Sequence, residues 1–83
     1  MMTEEQCKSA FKRRFPKLTI TQVVDLDNTS YVVTAVRDPN KTDYNDPFYR
    51  VNKKTAKITG FNPMENLKKY SNALYNQERQ RRN

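Results

Sequence analysis

The stretch that most restricts the fold of this chain is residues 47–61, PFYRVNKKTAKITGF, because it reads as a β-hairpin. Its first part, residues 48–51, is rich in the aromatic and β-branched side chains that favour strands. A polar segment, residues 52–55, then makes the turn, and residues 57–59 return as the second strand. The hairpin predicts an antiparallel sheet at the centre of the fold.

Further elements precede and follow this hairpin. Residues 3–15 read as a helix, with a capping box formed by Thr3 and Gln6 at its start. Residues 18–26 and 31–36 alternate or run apolar as strands, and the turn residues between them predict a second hairpin. A last helix opens at Asn62, which the pattern makes its N-cap.

The order of elements is therefore α-β-β-β-β-α, and the predicted fold class is α+β. We expect an antiparallel sheet of three to four strands, with the N-terminal and the C-terminal helix packed on one face. The other face would be polar, and its candidate residues are Thr19, Thr21, Thr34 and Arg50. The predicted inward stripe of the last helix comprises Met64, Leu67, Tyr70, Ser71 and Leu74.

Size and composition limit the class of protein. Eighty-three residues make one domain. We place the domain at residues 1–78 and predict that residues 79–83 are a basic, disordered tail. A single cysteine rules out an internal disulfide, and acidic residues stand where a signal peptide has basic ones. No apolar stretch approaches the length of a membrane span. The expected location is the cytoplasm of a bacterial host cell, with association with a virion as a further alternative.

Two resemblances rest on the hairpin and the residues around it. Residues 49–58, YRVNKKTAKI, resemble the signature hairpin of PepSY-like domains, in which an aromatic or apolar strand runs into a polar turn and then Thr-Gly-Lys. This chain has Ala56 where that pattern has Gly. If the position needs a positive φ, alanine costs about 1 kcal/mol there. The longer run DPFYRVNKKTAKITGFNPMENL is similar to small uncharacterised proteins from phages and prophages of Gram-positive bacteria. Neither resemblance implies catalytic residues.

Few residues in the sequence are candidates for catalysis or metal binding. It has no histidine, the commonest general base and metal ligand. Cys7 lies on the apolar stripe of the first helix, where a packing thiol is the expected role. Residues 38–46 place oxygen ligands at alternate positions but lack the glycine and the glutamate that a calcium loop needs. The prediction is a protein that is not an enzyme, with no catalytic residue, no cofactor and no metal.

Basic clusters are the most suggestive feature of the sequence, whose formal net charge is +7. They could follow the phosphates of a nucleic acid, while exposed tyrosines such as Tyr44, Tyr49 or Tyr75 stack on bases. A solvated face and a soluble tail are the alternative. The nucleic-acid candidates are Lys12, Arg13, Arg14, Lys17, Lys53, Lys54, Lys57, Arg79, Arg81 and Arg82.

Surplus aromatic residues suggest a protein contact instead. Tyr44, Phe48, Tyr49 and Phe61 are candidates for an exposed patch, unless all four pack into the core. The leading hypothesis is a small non-enzymatic module that binds another protein, as a phage- or prophage-derived accessory or assembly factor. The alternative is a nucleic-acid-binding protein that uses its basic face. No membrane partner is expected, and the sequence determines neither the identity of a partner nor an oligomeric state.

Overall fold

The computed structural model describes residues 2–37, 40 and 48–81, with only the backbone of residues 80 and 81. Over these residues the chain forms two helices and one four-stranded sheet. The elements are α1 (Glu4–Arg14), β1 (Thr19–Asp25), β2 (Ser30–Val36), β3 (Phe48–Asn52), β4 (Ile58–Gly60) and α2 (Leu67–Arg81). The strands lie in the order β1-β2-β3-β4, and each pair of neighbours is antiparallel. The predicted α+β fold class is confirmed.

Helix α1 begins and ends where its sequence signals indicate. The Thr3 hydroxyl accepts a hydrogen bond from the Gln6 backbone N–H at 3.2 Å, and the Gln6 side chain accepts one from the Thr3 N–H at 2.9 Å. This reciprocal pair is the predicted capping box. At the other end Phe15 leaves the helical conformation with φ −129° and ψ 72°, as expected for a residue that precedes a proline.

Strand β1 changes the face to which its side chains point. Ile20 pairs with Ala35 and Gln22 with Thr34, so one extra residue, Thr21, is inserted in β1 as a bulge. Leu18 and Ile20 consequently contact the core beneath α1, whereas Val24 and Leu26 belong to the core beneath α2. Sequence alternation alone had placed all four on one face.

The two helices lie on opposite faces of the sheet, which corrects the predicted placement of both on one face. Cys7 and Phe11 of α1 pack with Val33 of β2. Tyr70 of α2 packs with Val32, the residue before Val33 in the same strand. Adjacent residues of a strand point to opposite faces, so the two cores are separated by the sheet. The physical reason is β2, which is apolar on both sides and buries both of them.

Each face therefore has its own small core. The α1 face contains Cys7, Phe11, Val23, Tyr31, Val33, Ala35 and Val51. The α2 face contains Val24, Leu26, Val32, Phe61, Tyr70 and Ala73. Phe11, Val24, Val32, Val33 and Val51 are fully buried. Burial on both sides of a single sheet gives this short chain two apolar layers. In each layer, removal of apolar side-chain surface from water stabilises the fold.

The turn between β3 and β4 is fixed by hydrogen bonds within it. The Asn52 side-chain oxygen accepts from the backbone N–H groups of Lys54 and Thr55, at 2.8 and 3.0 Å. Ala56 then adopts a left-handed conformation with φ 62°. Ala56 therefore has the positive φ at which we expect alanine to cost about 1 kcal/mol relative to glycine.

Helix α2 starts later than the sequence predicts. Asn62 accepts from the Met64 N–H at 2.9 Å, but this bond caps a turn over residues 63–66, and the regular helix begins at Leu67. Tyr70 and Ala73 face the core, as Leu74 partly does. Met64 and Leu67 are exposed, as is Ser71, so the predicted inward stripe is wrong at these three positions. The helix continues to Arg81.

Candidate nucleic-acid interface

A groove with basic sides and an aromatic floor lies beside the C-terminal end of α1. Its volume is about 620 Å³. We call it the basic groove, and its lining residues are Arg14, Phe15, Pro16, Lys17, Leu18, Arg37 and Tyr49. They come from the end of α1, the turn that follows it, the end of β2 and the start of β3. The groove thus forms only when helix and sheet have packed together.

The wall nearest α1 is held by the local chain reversal at Pro16. The Phe15 N–H donates to the Phe11 carbonyl at 2.8 Å, and the Leu18 N–H donates to the Phe15 carbonyl at 3.2 Å. The Lys12 ammonium also donates to the Leu18 carbonyl at 2.6 Å. These bonds tie the turn to the last turn of the helix, so Arg14 and Lys17 start from fixed backbone positions.

The rings of Phe15 and Tyr49 form the floor, and both pack against the Phe11 ring at tilted or edge-on angles. The ring centroids of Phe11, Phe15 and Tyr49 lie 5.2 to 5.4 Å from one another. Phe11 is fully buried, whereas Phe15 and Tyr49 are half-buried. Gly60 pairs with Tyr49 across the sheet, and the place where its side chain would stand is open space. The exposed parts of Phe15 and Tyr49 are therefore available as an apolar surface.

The charge of the groove is positive. Arg14, Lys17 and Arg37 are all exposed, and the groove lining contains no acidic residue among the described part of the chain. The Arg14 guanidinium carbon lies 5.6 Å from the Phe15 ring centroid, a cation–π distance. Basic residues at a helix C-terminus also stabilise the helix itself, which is the structural role that Arg14 shares with Lys12 and Arg13.

The other predicted nucleic-acid candidates do not join this groove. Lys12 binds the Leu18 carbonyl, and Arg13 lines a separate shallow hollow on α1 with Glu5. Lys54 and Lys57 are exposed in the β3–β4 turn region, and Lys57 lies beside Arg50 in a small polar hollow.

Two further groups of these candidates lie elsewhere. Arg79 is exposed near the end of α2, while the side chain of Arg81 and the whole of Arg82 lie outside the described residues. Lys53 is buried. Its ammonium donates to the Asp25 carboxylate at 2.6 Å and lies 4.6 Å from the Tyr31 ring centroid. Its charge is engaged inside the protein.

The predicted protein-contact aromatics are mostly part of the two cores. Phe61 is 7% exposed and belongs to the α2 face. Phe48 is half-buried and meets Tyr70 edge-on, with ring centroids 5.8 Å apart. Tyr49 belongs to the floor of the basic groove, and Tyr44 lies outside the described residues. The structure thus brings none of Phe48, Tyr49 and Phe61 into a shared exposed patch.

Sequence reasoning missed two kinds of functional candidate. Arg37 was assigned to a loop and not to a basic cluster, because its closeness to Arg14 depends on the packing of β2 beside α1. The exposed Met64, at 76%, and Leu67, at 55%, were missed because both were assigned to the core, whereas Tyr75, at 61%, had been named as an exposed tyrosine. The late start of α2 at Leu67, which leaves Met64 in the preceding turn, had no clear signal in the sequence.

A larger hollow, of about 940 Å³, lies at the opposite end of α1 between Met2, Gln6 and the two hairpin turns. Lys53 and Lys54 supply its charge, and Lys53 is already paired with Asp25. It offers no aromatic floor beside its cations. We therefore do not take it as the functional site.

Cys7 and the acidic residues are the other candidates for chemistry. Burial raises the pKa of the Cys7 thiol to about 11, so the thiol stays protonated at neutral pH. Within residues 2–37, 40 and 48–81 no group of three or more histidine, cysteine, aspartate or glutamate side chains is placed to hold a metal ion. The candidate calcium loop, residues 38–46, lies almost wholly outside the described residues. Neither helix, as far as the chain is described, is long and apolar enough to span a membrane.

Comparison of the chain with models of protein families, with curated proteins and with solved structures finds no match. The resemblance to PepSY-like hairpins and to small phage proteins therefore stays a prediction.

Proposed function

We propose that this protein binds nucleic acid through the basic groove. The observation that carries the proposal is the placement of Arg14, Lys17 and Arg37 around the half-buried rings of Phe15 and Tyr49. Phosphates need cations and bases need flat apolar surfaces, and the groove presents both within one concave site. The net charge of +7 favours the approach of a polyanion.

From the sequence, contact with another protein was the leading hypothesis and nucleic-acid binding the alternative. The proposal reverses this order. The case for a protein contact rested on surplus aromatic residues, and Phe61 and Phe48 are accounted for by the core beneath α2. The case for nucleic acid rested on charge alone. It now has a defined site in which two predicted cations, Arg14 and Lys17, join Arg37 and Tyr49.

Salt dependence tests the proposal. Each phosphate neutralised in a single strand contributes about −0.7 to the slope of log affinity against log salt concentration, so three contacts give about −2. We expect a fluorescence-anisotropy titration with a short single-stranded oligonucleotide to show such a slope. Replacing Arg14, Lys17 and Arg37 together by Gln should remove most of the binding and of the slope.

A matched variant separates the groove from net charge. Arg13→Gln, Lys54→Gln and Lys68→Gln together lower the charge by the same amount at exposed positions outside the groove. This control should bind nearly as the unaltered protein does. Equal weakening of both triple variants would mean that binding follows net charge, and absence of binding at low salt would refute the proposal.

A second candidate function, contact with another protein, is favoured by a different observation. Met64 in the turn before α2, and Leu67 and Tyr75 in α2, are large apolar residues with exposed side chains. Large apolar side chains clustered on a surface are typical of interaction sites. If they form one, Leu67→Ser and Tyr75→Ser should abolish co-purification of a host protein that the unaltered chain retains, while the exposed polar change Asn72→Ser should not.

A phage or prophage origin, and with it a role as an accessory or assembly factor, is part of this second proposal. Its support is the resemblance of the run DPFYRVNKKTAKITGFNPMENL. The genomic neighbourhood tests it. Capsid or tail genes on either side would favour assembly, and early-expressed genes would favour an action on the host.

A further inference from the structure

We infer that the basic groove holds one unstacked base of a single strand against Phe15 and Tyr49, with the flanking phosphates on Arg14, Lys17 and Arg37. This inference rests on the proposed nucleic-acid function and specifies which form of nucleic acid the site takes. It excludes a site that reads only the phosphates of a duplex.

The first argument is the position of the rings. In a duplex the flat faces of the bases are stacked on one another, and only phosphates and base edges reach the surface. Phe15 and Tyr49 would then meet no partner for stacking. A single strand presents the faces of its bases, and stacking on aromatic side chains is the general mode of such recognition.

The second argument is the shape of the site. The basic groove is concave, with a volume of about 620 Å³, which lies in the range of sites for small ligands. Its apolar part is formed by Phe15 and Tyr49, whose rings pack on the fully buried Phe11. A protruding base can enter such a recess, whereas the outer surface of a duplex cannot.

The third argument is the origin of the cations. Arg14 is the last residue of α1, Lys17 lies in the turn after it, and Arg37 directly follows β2. Charges from two separate segments therefore border the same aromatic floor. A strand whose base occupies the floor can place the phosphates on the two sides of that base against different segments.

The floor has a structural role as well, since Phe15 and Tyr49 pack against the core that contains Phe11 and Val33. Half-buried rings at the margin of a core occur in many proteins without ligands. What favours a binding role here is their combination with three exposed cations around the same groove.

The decisive experiment uses the unaltered protein and changes the ligand. Two single-stranded trinucleotides of equal charge are compared by anisotropy competition, one with three thymines and one with an abasic central residue. A stable duplex and a longer oligothymidine strand with the same total number of phosphates form a second pair. We expect the abasic strand to bind about five- to a hundredfold more weakly than the complete one, the range for loss of one stacked base. The duplex should bind more weakly than the single strand at the same salt concentration.

Variants give a second measurement. Tyr49→Phe keeps the ring and should bind as the unaltered protein does, whereas Tyr49→Leu should reproduce the loss seen with the abasic strand. If the complete and abasic strands bind equally, the base does not enter the groove and the inference is overturned, while phosphate binding and the proposed function stand. If no strand binds at low salt, both fall.

Discussion

The ammonium of Lys53 lies 2.6 Å from the Asp25 carboxylate, and the two side chains differ greatly in burial, at 7% and 61% exposed. Removal of one partner should therefore cost less than removal of the other. Lys53→Met keeps the apolar stem over Tyr31 and leaves Asp25 in water, so we expect a loss of about 1 kcal/mol or less in the free energy of unfolding. Asp25→Asn leaves a buried ammonium without its carboxylate and should cost more. Urea denaturation of the two variants gives the order, and a larger loss for Lys53→Met would contradict it.

Asp27 links the first hairpin to α2 and makes stability depend on pH. One of its oxygens accepts from the Thr29 N–H, the Thr29 hydroxyl and the Ser30 N–H, and the other pairs with Lys69 at 2.6 Å. Partial burial would by itself raise the pKa of Asp27, but hydrogen bonds from Lys69 and Thr29 and the charge of Lys69 together hold it well below the usual range. A lowered pKa in the folded state stabilises the protein above the unfolded pKa of about 3.9, and this stabilisation is lost as the pH falls below it.

Asp27→Asn should thus be less stable than the unaltered protein at pH 7. The difference should stay constant down to about pH 5 and shrink below about pH 4, where the carboxylate of the unfolded chain is protonated. Lys69→Met is the matched control, because it removes the ion pair but leaves the bonds to Thr29 and Ser30. Thermal unfolding from pH 2 to 7 measures both, and a difference that grows on acidification would show the opposite sign of linkage.

Ala56 is the point at which the hairpin is strained. Its φ of 62° is a conformation that glycine adopts without steric cost. Ala56→Gly should raise the free energy of unfolding by about 1 kcal/mol, less the entropy that glycine adds to the unfolded chain. Lys54→Gly, in the same turn but without a positive φ, should give no gain. Chemical denaturation of the two variants compares them directly, and equal effects would mean that the strain at Ala56 is negligible.

Cys7 provides a test of the α1 face. The thiol is fully buried, and burial raises its pKa to about 11. A thiol-specific reagent at pH 8 should therefore react slowly with the folded protein and quickly in denaturant, because only the thiolate is nucleophilic. Rapid labelling of the folded protein would show that α1 does not stay packed on the sheet at Cys7.

Much of the fold could be predicted from the sequence, because local signals determine most of its elements. The Thr3–Gln6 capping box, Pro16 and the two hairpins lie where the pattern placed them. The error was in the placement of the two helices relative to the sheet. Gln22, which interrupts the alternation of β1, marked a bulge that moves side chains from one face to the other, and a β2 apolar on both sides required a helix on each.

The candidate site was only partly predictable. Arg14, Lys17 and Tyr49 were named from charge and aromatic character, yet they were grouped with Lys53, whose charge is engaged by Asp25. Arg37 is far from Arg14 in sequence, and only the packing of β2 beside α1 brings them to one groove. Charge can be counted along a chain, but whether a cation is paired or free depends on contacts between distant segments.

Mapping of the bound strand on the protein tests the role of the basic groove most directly. A single-stranded oligonucleotide is added at low salt to ¹⁵N-labelled protein, and the backbone amide shifts are followed. The largest changes should occur at Arg14, Phe15, Lys17, Arg37 and Tyr49, which line the groove. Changes centred on α2 or on the β3–β4 turn, or no changes at all, would contradict the assignment of the groove as the nucleic-acid site.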